Sequence, residues 1–255
     1  MAKISACIIS FNEEKKIEDC LKSLQSVVDE IIIVDSGSTD RTVEIARTYT
    51  DNIYNQTFEG YGKQKNTAAS KASYNWILNL DCDERLSEQL QQAILTAKDN
   101  LDQADVWSMP RKTYYIYRWL NHCWYPDRKI RLYNRNKTAW NNVALHESII
   151  SDNMHQRQLS GDILHYSFDS ISDHLKTIDH FTELAADDLI RKNKKLNPFS
   201  PLVHAAWIFI KIYFLNRGFL DGFAGLIVAN LSCMHVFIKY SKAYIKRKSI
   251  KHRQV

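Results

Sequence analysis

Two aspartates flank one cysteine where a predicted buried strand ends: Asp81-Cys82-Asp83 follows the apolar segment 76–80. Alternate side chains of a strand point to the same face, so the two carboxylates can share a site. One of them could hold a divalent cation while the other binds its water or a hydroxyl group. Mg²⁺ takes few protein carboxylates and completes its shell with water and phosphate oxygens. A triplet alone also fits the acidic start of a helix, but the buried strand before it favours a site.

A second carboxylate, Asp35, follows the apolar run 31–34 and precedes a turn that contains Gly37. A carboxylate at this place suits recognition of a nucleobase or a ribose. The segment lacks the Gly-x-Gly-x-x-Gly pattern of NAD-binding folds, and it lacks the Gly-Lys-Ser/Thr of nucleoside triphosphatase loops. Both of those protein classes are therefore disfavoured.

The residues up to about 100 alternate predicted strands with predicted helices. Repeated βα units predict an α/β fold with a mostly parallel central sheet, helices on its faces and right-handed crossovers. In such sheets, ligands bind beyond the carboxyl ends of the strands. Asn12, Asp35 and Asp81 all follow strand ends, so we expect them around one crevice.

The chain beyond residue 100 changes in character. Residues 105–166 are rich in tryptophan and tyrosine and predict strands and long loops of mixed direction. The clearest linker is the proline-containing segment 197–201, which predicts a first domain at 1–196 and a helical region at 197–255. The first domain has two halves, residues 1–100 and residues 101–196.

The amino-acid composition indicates the cellular compartment of the protein and disfavours some classes of partner. The five cysteines are scattered and form no Cys-x-x-Cys pair, which argues against a disulfide framework and indicates a cytosolic protein. The net charge is +5, but seven of the 34 basic residues lie in the acid-free tail 239–255. The remaining 27 basic residues face 29 acidic ones, a balance of −2. A nucleic-acid partner for the whole fold is therefore disfavoured.

Two apolar stretches, 202–215 and 219–238, precede the basic tail. The second is close to the length of a membrane span, but it carries Asp221, Asn230 and His235. We expect these helices to lie in a membrane interface, with the tail on anionic lipid. The alternative is that they pack on the catalytic domain.

Three segments together resemble family 2 glycosyltransferases, which have the GT-A fold. They are Ile-Ile-Ser-Phe-Asn-Glu-Glu at 8–14, Val-Asp-Ser-Gly-Ser-Thr-Asp at 34–40 and Leu-Asp-Cys-Asp-Glu at 80–84. Further segments at 60–66, 125–127, 146–147, 164–166 and 219–222 are similar to the bacterial β-1,4-glucosyltransferases of the lipopolysaccharide core. Two positions depart from the family pattern: Ser36 stands where a second acid is common, and Cys82 where a small residue such as alanine is usual.

The resemblance implies that the domain at 1–196 is catalytic, with the nucleotide bound by residues 1–100 and the acceptor by residues 101–196. It also implies roles for particular residues. Lys65 and Asn66 would lie near the base or the diphosphate, Asp81 would contact the ribose or a water, and Asp83 would ligate Mg²⁺ or Mn²⁺. The donor would be a UDP-sugar, first of all UDP-glucose. The acceptor would be a lipid-linked saccharide, reached at the inner-membrane surface through 202–255. The nucleotide pocket would be lined by Ser10, Phe11, Asn12, Glu13 and Asp35.

Direct displacement of the nucleoside diphosphate would invert the anomeric carbon and requires a general base for the acceptor hydroxyl. Glu147 is the first candidate for that base and Asp127 the second. Glu147 fits equally well as a structural carboxylate paired with Arg128 or Arg131. For His146 and His165 the spacing predicts hydrogen-bonding roles, because neither has a second metal ligand at helical or hairpin spacing.

Two further interpretations remain open. The same fold could transfer a sugar to a polyprenyl phosphate or to a protein. A protein without enzymatic activity could instead bind membranes or RNA through the tail, where tyrosines alternate with lysines.

Overall fold

The computed structural model describes residues 1–143 and 147–252, and the chain divides into two compact units. Residues 1–112 and 127–166 form the first unit, and residues 113–126 and 167–255 form the second. The sequence predicted one boundary, between residues 196 and 197. The long helix after residue 170 belongs to the second unit, where it packs with the last helix.

Four parallel strands form one side of the sheet in the first unit, in the order β3-β2-β1-β4. They are β1 (Ile4–Ser10), β2 (Glu30–Asp35), β3 (Ile53–Asn55) and β4 (Trp76–Asp81). Ser10 pairs with Asp35 across β1 and β2, and Ile9 pairs with Asp81 across β1 and β4. The register therefore brings the polar ends of three strands to one edge.

The rest of the sheet is largely antiparallel, so the sheet is mixed. The further strands are β5 (Glu84–Leu86), β6 (Val106–Tyr115), β7 (Arg118–Trp119), β8 (Asp127–Asn134), β9 (Gln156–Gln158) and β10 (Ile163–Phe168). Strand β8 lies antiparallel between β4 and β6, with Leu132 opposite both Leu78 and Trp107. Strand β5 pairs antiparallel with β10, which places Glu84 opposite His165.

Helices cover both faces of the parallel strands. They are α1 (Ile17–Leu24), α2 (Thr42–Ala46), α3 (Tyr61–Lys71) and α4 (Glu88–Ala97). Ile8 of β1 belongs to the core that includes Leu21 of α1 and Ile94 of α4, whereas Cys7 belongs to the core that includes Ala68 of α3. Because neighbouring side chains point to opposite faces, the central strand is buried on both faces and is largely apolar, apart from Ser5 and Ser10.

The second unit is built mainly from helices: α5 (Ile171–Arg191), α6 (Ser200–Ile210), a π-helical segment (Lys211–Leu215), a 3₁₀ turn (Gly218–Asp221) and α7 (Gly222–His252). The Asp221 carboxylate is buried and accepts hydrogen bonds from the backbone amides of Asn121, His122 and Cys123. This contact ties the turn before α7 to the loop after β7. The predicted α/β class and C-terminal helical extension are confirmed.

The basic tail is a continuation of α7 that packs on α5. The Nζ atom of Lys242 lies 3.0 Å from Asp179 and 3.2 Å from Glu183, and Lys246 pairs with Asp187 at 2.6 Å. The Arg247 guanidinium donates to the Lys194 carbonyl at 2.7 Å. Three of the seven basic residues that the sequence assigned to lipid therefore bind acids or a carbonyl of the same unit. Within the described residues, one helical stretch, 218–249, is long and apolar enough to span a membrane.

His174 of α5 is a buried neutral imidazole in the second unit. Its Nδ1 lies 2.9 Å from the Tyr115 hydroxyl, and its ring stacks on Phe168 with centroids 4.2 Å apart. Burial raises the pKa of Tyr115 to about 12, so the phenol stays protonated and can donate to Nδ1. Burial, with a smaller contribution from His235, lowers the pKa of His174 to about 4.

The depressed pKa makes the second unit sensitive to acid. The neutral imidazole contributes stability that is fully present above the unfolded pKa of 6.5 and is lost as the pH falls towards 4. The loss should reach about 3 kcal/mol. His174→Phe keeps the stacking but cannot titrate, so its unfolding free energy, measured in urea, should fall less over this range. The exposed His180, changed to Gln, should follow the wild-type curve. Parallel curves for His174→Phe and wild type would contradict the assignment.

Candidate functional site

The loop after β2 is held by Asp35. Its buried carboxylate accepts four hydrogen bonds, from Ser10 Oγ, the Gly37 amide, and the amide and hydroxyl of Ser38, at 2.6–2.9 Å. Gly37 has φ 87°, a left-handed conformation that favours glycine. Asp35 thus joins the ends of β1 and β2 and shapes the loop between β2 and α2.

Residues 11–13 form the other wall of this edge. Asn12 has φ 53°, its amide donates to Ser38 Oγ at 2.8 Å, and its side-chain oxygen accepts from the Thr39 amide at 2.8 Å. The Glu13 amide donates to Thr42 Oγ1 at 2.7 Å. Phe11 is 57% exposed, which leaves an aromatic face at the end of β1. The loops after β1 and β2 are therefore braced against each other.

Asp81 lies between two cations. Its Oδ1 is 3.1 Å from Lys65 Nζ, and its Oδ2 is 2.7 Å from Arg131 Nη2. The same Arg131 nitrogen is 2.7 Å from Glu84 Oε1. Burial would raise the pKa of Asp81, but Arg131 and Lys65 outweigh it and hold that pKa well below its usual range. Asp81 is therefore a permanent anion near neutral pH.

This group of charges continues in both directions. At one end, Lys65 Nζ lies 3.1 Å from Glu147 Oε1. At the other, Arg111 lies 3.2 Å from Glu84 and 2.7 Å from Asp127. Negatively and positively charged side chains alternate along the whole line, which we call the charge network. It begins at Glu147, ends at Asp127 and passes through Lys65, Asp81, Arg131, Glu84 and Arg111.

Both candidate bases therefore belong to one network, but they lie at its opposite ends. The contact of Glu147 with Lys65 differs from the structural alternative, which paired Glu147 with Arg128 or Arg131. Lys65 is 2% exposed, so this ion pair is buried on its cationic side.

Trp140 supports the Lys65 end of the network. Its ring centroid is 4.3 Å from Lys65 Nζ, and its indole nitrogen donates to Asn79 Oδ1 at 2.7 Å. The Asn66 side chain accepts from the Trp140 amide and donates to the Trp140 carbonyl, both at 2.9 Å. Asn66 thus positions Trp140, and the ring stabilises the buried ammonium by a cation–π contact.

Asp83 lies outside the charge network and beside His165. Its Oδ2 is 3.2 Å from His165 Nε2, because the pairing of β5 with β10 brings the two residues together. The Asp83 side chain is 26% exposed, and His165 Nδ1 is buried without a hydrogen-bond partner among the described residues. His146 lies outside the described residues. His165, for which the sequence predicted a hydrogen-bonding role, thus contacts Asp83, the predicted metal ligand.

A divalent cation fits this pair. One carboxylate and one imidazole suit Mn²⁺, and one carboxylate with substrate phosphate oxygens suits Mg²⁺. In the described part of the chain, no group of three or more His, Cys, Asp or Glu residues could hold a metal without further ligands. A metal ion bound at Asp83 and His165 would therefore need further ligands, such as water or substrate oxygens, to complete its shell.

Cys82 packs inward between the two aspartates. Burial raises its pKa well above the usual range, and its Sγ lies 3.3 Å from the Ile9 carbonyl. The five cysteines are all free thiols. Cys82 therefore separates Asp81 from Asp83 and takes no part in the polar site.

Sequence reasoning missed several residues of the site. Glu84 follows the aspartate triplet directly, and its place next to a buried strand was the available signal. The others lie far along the chain from the triplet, and no local pattern marks them: Arg111, Arg131 and Trp140 as partners of the charge network, and His165 as partner of Asp83.

Comparisons with known proteins agree with this geometry. The sequence model of glycosyl transferase family 2 matches residues 5–157. An uncharacterized glycosyltransferase of Rickettsia typhi is 31% identical over 272 residues, covering 100% of this chain and 90% of the relative. The lipopolysaccharide core biosynthesis glycosyltransferase LpsC of Rhizobium meliloti is 28% identical over 257 residues, covering 98% and 94%.

Among solved structures, TarS of S. aureus (residues 1–349, in complex with UDP-GlcNAc) covers 97% of this chain and 92% of its own, with 15% identity and a TM-score of 0.49. The family model alone spans more than half of the chain. The resemblance inferred from the sequence motifs and the GT-A fold that it implied are both confirmed. The chain belongs to glycosyltransferase family 2.

Proposed function

We propose that the protein transfers a hexose, with glucose as the first candidate, from a UDP-sugar to a lipopolysaccharide core or a similar lipid-linked saccharide. The observation that carries this proposal is the pair Asp83–His165 beside the Asp81–Lys65 ion pair, at the carboxyl edge of the parallel strands. A partial metal shell next to a fixed cation suits a diphosphate. The likeness to LpsC, named for lipopolysaccharide core biosynthesis, supports the acceptor.

The donor's nucleotide would lie against the braced loops after β1 and β2. Phe11 offers an exposed ring on which the nucleobase can stack. Asn12 and Asp35 shape the loops. Because Asp35 already accepts four hydrogen bonds, we assign it the loop and assign direct ribose contact to Asp81. Lys65 lies on α3 and pairs with Asp81, and we assign it the role of binding the diphosphate.

Asp83 and His165 would hold Mg²⁺ or Mn²⁺. When bound, such an ion neutralises the charge that builds on the leaving diphosphate. Lys65 adds a second positive charge, and its position is set in advance by Asp81, Glu147 and Trp140. A prearranged charge of this kind costs no reorganisation during the reaction.

Glu147 is the better candidate for the base. Asp127 accepts from Arg111 Nε and Nη2 and also lies 3.1 Å from Lys129 Nζ, so its lone pairs are largely committed to cations. Glu147 contacts a single described cation, through Oε1. Its second oxygen can accept a proton from an acceptor hydroxyl, which would lead to direct displacement and inversion.

A lipid-linked acceptor would bring the protein to the cytoplasmic face of the inner membrane. The apolar segment 199–223 at the start of the helical C-terminal region supports that location. Family membership favours a transferase over a protein without enzymatic activity. The contacts of the tail with α5 also leave fewer basic groups for RNA than the sequence alone indicated.

The proposed reaction is tested with purified protein, labelled UDP-glucose and Mn²⁺ against a panel of acceptors. We expect transfer to a truncated lipopolysaccharide core, and a higher melting temperature with UDP-glucose than without it. Transfer to undecaprenyl phosphate or to protein alone would move the function to those acceptors. No stabilisation by any UDP-sugar would contradict the proposal.

Asp83→Asn should lower turnover at least about 100-fold, because the amide removes the negative charge that holds the cation. His165→Asn should weaken Mn²⁺ binding, measured by electron paramagnetic resonance, without unfolding the protein. The exposed Asp51, changed to Asn, is the matched control and should leave both quantities unchanged. Metal-independent or undiminished transfer by Asp83→Asn would refute the metal assignment.

Glu147→Gln should reduce kcat by about 10²- to 10⁴-fold while donor affinity changes little. The variant keeps the side-chain shape, and Lys65 remains paired with Asp81. Asp127→Asn should have the smaller effect, because we assign its oxygens to Arg111 and Lys129. Steady-state kinetics on both variants decide the matter, and the reverse order of effects would transfer the role to Asp127.

A further inference from the structure

An apolar stripe runs along the solvent side of α6 and the π-helical segment after it. Its members recur at helical spacing: Phe199, Val203, Trp207, Ile210 and Phe214, which we call the apolar stripe. Such spacing ordinarily marks the face of a helix that packs on a core. Here the side chains are exposed, with Phe199 at 69%, Trp207 at 54% and Phe214 at 55%. Contiguous exposed apolar surface indicates an interaction site.

The opposite side of the same helix already has its core. Ala205 and Ile212 are buried, and Ile212 packs in the cluster that includes Val228 of α7. The stripe is therefore not needed to hold α6 on α7. Phe223, at the start of α7, is 68% exposed and continues the apolar surface beyond the turn.

The charges around the stripe indicate its partner. From Lys192 to the end of the chain, Asp221 is the one acidic residue in the sequence, and it is buried and bound to three backbone amides. Lys211 and Arg217 are exposed within the same segment. Two copies of this surface facing each other would bring like charges together, whereas anionic lipid would meet opposite charge.

The tail is a weaker candidate for the lipid contact. Lys242 and Lys246 are paired with α5 acids, and Lys239 is partly buried, which lowers its pKa. The same pairs hold the end of α7, beyond its apolar part, on α5.

We propose that the protein docks on an anionic bilayer by inserting the apolar stripe of α6, with α7 packed behind it and the basic tail held on α5. This docking proposal rests on the proposed function in one respect: a lipid-linked acceptor requires the protein to reach a bilayer. A helix lying in the interface buries its apolar face by about 5–10 Å. Trp207 suits that depth, since tryptophan favours the boundary between hydrocarbon and headgroups.

The test is co-sedimentation of the full chain with phosphatidylcholine vesicles, with and without phosphatidylglycerol. Wild type should bind the anionic vesicles more tightly. Trp207→Glu/Phe214→Glu should lower the partition coefficient at least about tenfold, because two aromatic side chains are no longer buried. Ile245→Glu, at an exposed apolar site outside the stripe, should bind as wild type. Lys242→Gln/Lys246→Gln should also retain binding.

Circular dichroism and UDP-glucose affinity show whether the variants remain folded. Phe199→Ser/Val203→Ser, which adds no charge, should also weaken binding and serves if the glutamate variant is unfolded. Binding lost in the lysine variant but kept in both stripe variants would overturn the proposal in favour of the tail. A dimer in sedimentation velocity that the stripe variants dissociate, without vesicle binding by wild type, would overturn it in favour of self-association.

Vesicle binding requires neither donor nor acceptor, so the two proposals fail separately. Vesicle binding without sugar transfer would support docking through the apolar stripe and refute the proposed reaction. Transfer to a detergent-solubilised acceptor by a protein that does not bind vesicles would support the reaction and refute the docking.

Discussion

Arg131 is the residue on which the site of the first unit depends. Its side chain is almost fully buried, and one nitrogen bridges Asp81 and Glu84 at 2.7 Å each. A buried charge is costly unless oppositely charged groups surround it. Arg131 and the two acids therefore stabilise one another. Their ion pairs join β8 to the end of β4 and to the start of β5. Without the guanidinium, two neighbouring carboxylates would remain without their shared cation.

The alternation of charge along the network explains how one crevice can hold so many ionised groups. Each interior member has neighbours of opposite sign, so repulsion between like charges is reduced along the whole line. The network also separates two kinds of carboxylate. Asp81 is fixed between Lys65 and Arg131, whereas Asp83, two residues on, faces His165. The Asp81 side chain is 31% exposed and the Asp83 side chain 26%, so both carboxylates remain accessible to a ligand.

The second unit uses charge differently. Acids of α5 hold the lysines of α7, and the buried Asp221 holds the loop after β7. These contacts satisfy the polar groups internally and leave an apolar face on α6 exposed. The second unit thus presents an exposed apolar face in addition to its basic residues. Composition alone does not show this arrangement, because it does not record which charges have intramolecular partners.

The sequence by itself determined the family, the α/β class and the polar strand ends, because strand periodicity and the motifs at 8–14, 34–40 and 80–84 are local. It named Asp83 as a candidate metal ligand, which stays a prediction. It could not assign His165 to Asp83 or Arg131 to Asp81, because these residues reach the triplet only through the pairing of β-strands that are distant in sequence. It also could not show that α5 packs on α7 or that Lys242 and Lys246 pair with acids of α5, because such packing leaves no local sequence pattern. Tertiary structure decided these points, since ion pairs and exposure depend on which elements become neighbours.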